Sequence, residues 1–97
     1  MLTTIDTLGF EVKSVADRLF PNRTDGSMFL KLYEETGEVV RDPSDPGEVA
    51  DVFILWLDYA KRKGIDIEAE VRRKLAVLEN RGWELDSTTN VYHHTER

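Results

Sequence analysis

The stretch from Asp45 to Ala60, DPGEVADVFILWLDYA, restricts what this chain can fold into more than any other. Asp45 is a helix cap and Pro46 suits the first helical position. Glu48, three residues past the cap, has the spacing of a capping box. The helix that follows is apolar on nearly every side, through Val49, Ala50, Val52, Phe53, Ile54, Leu55, Trp56, Leu57, Tyr59 and Ala60. Such a helix is expected to be covered all round. Three carboxylates nevertheless sit in it, Glu48, Asp51 and Asp58. At roughly 100° per residue, positions 48, 51, 55 and 58 share one stripe. An ionised carboxylate taken out of water is costly unless it is paired or bound to a metal. Positive charge is therefore expected against this stripe.

A chain of 97 residues supports one domain with one modest core. Hydrophobic residues make up 40% and charged residues 33%, the balance of a helix-rich soluble protein. The longest apolar run, Val52–Leu57, is too short to cross a bilayer, so no membrane partner is expected. The opening residues MLTTIDTLGF have no basic stretch followed by an apolar block, hence no expected secretory signal. The absence of cysteine excludes disulfides and thiolate metal sites and fits a cytoplasmic protein. A net charge of −6 argues against a duplex nucleic acid partner. It leaves room for a small phosphorylated ligand if a divalent metal bridges that ligand to the acids.

Residues 3–20 read as a first helix, with Ile5, Leu8, Val12, Val15, Ala16 and Leu19 at helical spacing and Thr3 or Thr4 as cap. Gly9 weakens its first half, and Phe20-Pro21-Asn22 stops it. In the connection that follows, Arg23 is either a surface arginine or a contact to an anionic substrate. The second helix runs from about Gly26 to Val40, capped by Asp25 or Ser27. Its apolar face is Met28, Phe29, Leu32, Tyr33, Val39 and Val40. Glu35 lies at the edge of that face, whereas Glu34 and Glu38 lie more nearly opposite. The break RDPSDP at 41–46 is short enough to make the second and third helices antiparallel neighbours. Lys61-Arg62-Lys63-Gly64 closes the third helix, with Gly64 at the C-terminal cap. Asp66 then caps a fourth, from Ile67 to about Asn80, whose core face is Ile67, Val71, Leu75 and Leu78. Lys74, Asn80 and Arg81 are either solvated helix surface or ligand contacts. Helical periodicity ends at Gly82, where Trp83 is expected to fold back on the helices. Val91-Tyr92-His93-His94 is open between a short strand, an arm and an irregular tail, and its adjacent histidines make a poor joint metal site. The domain expected is thus residues 1–83, followed by a tail or arm over 84–97.

Each acid also has a plain explanation. Glu48 completes a capping box, and clustered glutamates on an exposed helix face are common. Asp51 is the residue this explains least, since it lies beyond the capping turn between Ala50 and Val52. Pairing with Lys or Arg would satisfy it. Antiparallel packing brings Glu35 and Glu38 opposite Glu48 and Asp51, however, and four carboxylates from two helices have the ligand chemistry of a hard-cation site.

Glu34-Glu35-Thr36-Gly37-Glu38 has the form E-E-x-x-E, and Glu48-Val49-Ala50-Asp51 has the form E-x-x-D. In that order on consecutive helices, they resemble the signature of the MazG-like all-α nucleoside triphosphate pyrophosphohydrolases. KLYEETGEVV, EVADVFILWLDYAKRKGID and the later Lys74 and Asn80-Arg81-Gly82-Trp83 are similar to the phage and bacterial dATP/dGTP pyrophosphohydrolase branch. The resemblance covers roughly residues 23–83.

It implies an all-α, four-helix bundle with a short C-terminal tail. The implied activity is hydrolysis of a (deoxy)nucleoside triphosphate to the monophosphate and pyrophosphate, with Mg2+ as cofactor and Mn2+ as its substitute. The implied metal ligands are Glu35, Glu38, Glu48 and Asp51, with Glu34 activating or orienting the attacking water, or taking part in binding a second ion. Lys31, Arg23, Lys74 and Arg81 are the cations that would contact phosphate, and Asn80 and Trp83 would shape the nucleotide pocket. Asp58, about two turns or roughly 10 Å beyond Asp51, is too distant to share its ion. It pairs with a cation or holds the substrate sugar. The resemblance also implies a homodimer or homotetramer with sites completed between subunits, which suits a third helix apolar on every side. The connection between Glu38 and Glu48 is short compared with relatives that insert substrate-contacting structure there. Base selection is then expected from the first helix or a partner subunit. Two alternatives stand beside this reading, a non-catalytic acidic helical interaction module and a phosphoribosyl-ATP pyrophosphohydrolase.

Overall fold

The computed structural model describes residues 4–95. Four helices dominate it: α1 (Thr4–Leu19), α2 (Asp25–Arg41), α3 (Pro46–Arg62) and α4 (Ile67–Glu79). Two short strands follow, β1 (Trp83–Asp86) and β2 (Val91–His94). The all-α class expected above holds, with a hairpin added at its end. The chain divides into two compact units, Met1–Ile67 and Glu68–Arg97.

In the first unit α3 packs against both α1 and α2. The helix starts are set locally. Thr24, not Asp25 or Ser27, caps α2: Thr24 Oγ1 accepts from Ser27 N at 3.1 Å, and Ser27 Oγ accepts from Thr24 N at 2.8 Å. This is a reciprocal capping box with serine in place of the usual glutamate. Asp45 caps α3 as expected, but it accepts from Gly47 N at 2.8 Å. Thr4 is already helical, and Thr3 lies outside the described residues.

The α3 C-terminus closes as a Schellman motif. Ile65 N donates to Ala60 O at 2.9 Å and Gly64 N to Lys61 O at 3.3 Å, around Gly64 at φ 68°. Gly9, expected to weaken α1, is buried beneath the Lys61 side chain of α3. A Cβ there would lie 2.7 Å from Lys61 Cε. The Lys61 stem crosses at that point and its ammonium sits 4.0 Å above the Phe10 ring, 3.3 Å from Asp6.

The interior is small. Among the described residues the buried apolar ones are Ala16, Met28 and Ala60. The expectation that α3 is covered all round is not met within the chain. Phe53 is 61% exposed, and Val49, Ile54 and Trp56 are exposed as well. A cylinder flanked by two helices retains an open side, and α3 turns a row of large apolar residues to it. Asp51 is likewise exposed rather than enclosed.

The second unit holds α4 and the antiparallel hairpin, in register Trp83↔His94 through Asp86↔Val91. Of the alternatives open for residues 91–94 the chain adopts the strand. The loop closes through Asn90, at φ 61°, whose N–H donates to Asp86 O at 2.7 Å. Trp83 folds back onto the end of α4, its indole N–H donating to Leu78 O at 3.0 Å. None of the described helices is long and apolar enough to cross a membrane.

Candidate metal centre

The four-residue connection Asp42–Asp45 turns α2 back along α3, so the acids of α2 meet those at the start of α3. Glu35, Glu48 and Asp51 each place a carboxylate oxygen so that all three lie within 4.8 Å of one another. Three like charges at that spacing repel unless a cation sits between them. Glu48 registers the repulsion. Its carboxyl is raised above the ordinary 4.5, first by desolvation and then by the charges of Glu38, Asp45, Asp51 and Glu35. Among the described residues neither Glu48 nor Asp51 takes part in an ion pair, so no lysine or arginine satisfies them. The capping explanation of Glu48 also falls away, because Asp45 makes the cap with Gly47. The donor set is hard oxygen throughout, which fits Mg2+ or Mn2+ and not a soft metal.

Helical spacing in α2 determines which of its acids belongs to the cluster. Glu35, at the edge of the apolar face, is 16% exposed at its side chain and joins it. Glu34 and Glu38 point outward. The Glu34 carboxylate lies 3.3 Å from the Lys31 ammonium, which is also 3.3 Å from Glu35. Glu38, expected as the fourth ligand, is drawn off the cluster by Arg41, whose Nη2 lies 2.5 Å from Glu38 Oε1. Glu38 is nevertheless the first of the charges that Glu48 feels.

Arg23 and Asp58 occupy each other. Arg23 Nε and Nη2 donate to Asp58 Oδ2 and Oδ1 at 2.7 and 2.8 Å, a two-pronged pair. Arg23 also reaches Asp17 Oδ1 at 2.7 Å and Phe20 O at 3.1 Å. Asp58 is 5% exposed and takes a third bond, from Arg62 Nε at 3.1 Å. Desolvation raises its carboxyl, but the two guanidinium groups outweigh it and the carboxyl is held below the ordinary 3.8. Of the two roles open for Asp58, pairing is the one the structure displays. Arg23 ties the α1–α2 connection to α3. Arg62 completes the clamp by donating to Asp25 Oδ1 at 3.0 Å, and its Nη2 is buried without a partner.

The remaining expected substrate contacts lie in the second unit. Asn80 Nδ2 donates to Ala76 O at 2.8 Å, so with Trp83 it satisfies carbonyls at the end of α4. Lys74 is exposed on α4 and Arg81 is half-buried just past it. Sequence reasoning passed over Arg41 and Arg62. Their signal was present, since each stands three or four residues after an acid on the same helix.

Comparisons with known proteins place the chain among relatives. A family model described as dATP/dGTP pyrophosphohydrolase matches residues 14–96. A dATP/dGTP diphosphohydrolase of Cyanophage S-2L is 40% identical over 85 residues, 86% of this chain and 81% of that protein. Another of that description, from Salmonella phage PMBT28, is 49% identical over 70 residues, 71% of this chain. The aligned part is about a quarter of that protein's length (24%). The solved structure of the Cyanophage S-2L MazG-like pyrophosphohydrolase, bound to dGDP and three catalytic Mn2+ ions per active site, aligns with a TM-score of 0.87 and 36% identity. That alignment covers 98% of this chain and 100% of the other.

Proposed function

This chain belongs to the dATP/dGTP pyrophosphohydrolase family, and from that premise we propose that it hydrolyses dATP or dGTP to the monophosphate and pyrophosphate. Glu35, Glu48 and Asp51 would hold Mg2+ or Mn2+. The observation that carries the proposal is the convergence of those three carboxylates within 4.8 Å, from two helices. The Mn2+ and dGDP of the cyanophage structure support the same assignment of metal and substrate class.

When bound, the metal supplies neutralisation of the triphosphate charge and acidification of water. The protein's own residues do the rest. Glu35, Glu48 and Asp51 would fix the position of the charge, and Glu38 would offer a further oxygen on release from Arg41. Glu34, one residue from the cluster and open to solvent, accepts the proton of the attacking water. That water's oxygen forms the new bond to phosphorus as the bond to the departing pyrophosphate breaks. Lys31, between Glu34 and Glu35, is placed to meet a phosphate oxygen.

The working form is a homo-oligomer acting in the cytoplasm, where its nucleotide substrates are made. Leu30, Tyr33 and Val40 on α2 are 74%, 79% and 75% exposed, and α3 adds Val49, Phe53 and Trp56. Apolar residues repeated along two neighbouring helices form a surface that another chain of the same kind can bury.

The test is pyrophosphate release from each standard NTP and dNTP with Mg2+ or Mn2+, beside the Asp51→Asn variant. Metal-dependent release confined to purine deoxynucleotides and lost in the variant is expected. Release that survives Asp51→Asn would overturn the site, and silence across the panel the activity.

A further inference from the structure

The two halves of the acidic site differ in how their charge is balanced. On α3, Glu48 and Asp51 have no ion pair among the described residues. On α2, every acid of the E-E-x-x-E motif has a cation from the same helix. Lys31 Nζ lies 3.3 Å from both Glu34 Oε1 and Glu35 Oε1, and Arg41 Nη2 lies 2.5 Å from Glu38 Oε1. The cations flank the motif one turn before and one turn after it. Arg41 folds back along the helix, passing 3.6 Å from the point where a Cβ on Gly37 would lie.

Resting on the metal-site reading above, we infer that Lys31 and Arg41 are exchangeable counter-ions of this site, displaced by the incoming divalent ions and thereby freed to face the phosphates. The exposed pairs are weak enough to be exchanged, with Lys31 52% and Arg41 66% exposed at the side chain. A divalent ion between Glu35, Glu48 and Asp51 competes directly with the Lys31 ammonium for Glu35. A ligand role for Glu38 requires Arg41 to release it. Once displaced, both cations remain tethered within a turn of the acids, where the negative charge of a triphosphate would arrive. Metal loading thus converts a self-neutralised helix into one with two free cations beside the ions, and places metal before nucleotide in the order of binding.

The experiment is calorimetric titration of the full chain with Mn2+, followed by titration of the Mn2+-loaded protein with inorganic tripolyphosphate. It is done at an ionic strength where charges beyond about 8 Å are screened. Lys31→Met and Arg41→Met are expected to bind Mn2+ about two- to fivefold more tightly than the native chain, since no pair has to be broken. Once loaded, both are expected to bind tripolyphosphate more weakly. Lys31→Arg, which keeps the charge, and Lys13→Met, which removes a cation paired with Asp17, are expected to leave Mn2+ affinity where it was. Unchanged or weaker Mn2+ binding in either Lys31→Met or Arg41→Met overturns the exchange. Asp51→Asn separates the two levels. If it loses Mn2+ while Lys31→Met binds like the native chain, the exchange fails and the metal site stands. If Asp51→Asn binds Mn2+ normally, the site itself fails.

Discussion

Asp51 and Asp58 stand seven residues apart on one stripe of one helix, yet the fold treats them in opposite ways. Asp58 is buried and held by Arg23 and Arg62. Asp51 is exposed, stands beside Glu48 and Glu35, and has no pair of its own. Burial alone would suggest Asp58 as the residue with a special task. The charge balance points the other way. An acid that already accepts three guanidinium bonds has little left to offer a ligand. Acids left bare beside one another make a place where a cation lowers the energy. At the C-terminal end of α3 the chain uses a carboxylate to hold itself together, and at the N-terminal end it leaves carboxylates unreconciled for a ligand to resolve.

The comparison is tested most severely at Asp58. Asp58→Ala takes the shared buried carboxylate from Arg23 and Arg62 at the junction of α3 with the α1–α2 connection. Breaking a buried pair by removing one partner costs about 3–5 kcal/mol. Thermal or denaturant unfolding should show this loss equally with Mn2+ and with chelator. A loss of only a few tenths would mean the clamp is as dispensable as a surface pair. The opposite pattern is expected of Asp51→Asn. Pyrophosphate release should fall at least ~100-fold, the upper range for disturbing the partners of metal ligands. In chelator its melting temperature should rise by about 1–2 °C, because one member of a repelling cluster is neutralised. Added Mn2+ should no longer stabilise it as it does the native chain. A variant that melts lower in chelator would place Asp51 with Asp58 as a structural acid.

A smaller effect separates the two ends of α3 by distance along the helix. Gly64, just past the clamp, is at φ 68°, and a Cβ there would meet nothing within 4 Å. Gly64→Ala therefore incurs only the backbone cost of the left-handed region, about 1 kcal/mol. Unfolding should register it and Mn2+ titration should not. A weakened Mn2+ affinity would show that the clamp and the metal centre are mechanically linked.

Much of this was legible in the sequence, for reasons that differ by residue. Glu35 stood out from Glu34 and Glu38 because helical spacing alone puts it at the edge of the apolar face. Asp51 stood out because neither capping nor surface solvation accounts for an acid beyond the first turn of an apolar helix. The α2 cap was misread because Thr24, Asp25 and Ser27 all suit the role, and only backbone geometry chooses among them. Glu48 fitted a capping box by spacing, yet Asp45 reached Gly47 instead and left the glutamate to the cluster. The hairpin escaped notice because its loop, Ser87-Thr88-Thr89-Asn90, lacks the Asn-Gly signal and relies on Asn90 to adopt a positive φ. Arg23 and Asp58 were recognised individually as charges needing an account. Their meeting, 35 residues apart in sequence, is tertiary information.

The smallest expected effect is one of pH, and its sign differs at the two ends of α3. The Asp58 carboxyl is held below 3.8, so its contribution to stability is present above that value and lost as the pH falls through its depressed range. The Glu48 carboxyl is raised above 4.5 by desolvation and neighbouring acids, so ionising it costs the folded state. Stability from this group is greatest below 4.5 and declines as the pH rises through the raised range. In chelator, acidification from neutral pH should therefore raise the melting temperature slightly before the loss at Asp58 lowers it. With Mn2+ the small rise should vanish, because a bound cation already compensates the ionised carboxylates and protonation displaces it. Asp51→Asn should flatten the rise in chelator and leave the acid limb in place. Asp58→Asn should remove its part of the acid limb and leave the rise. The two acids on one stripe would then be separated by titration as they are by geometry.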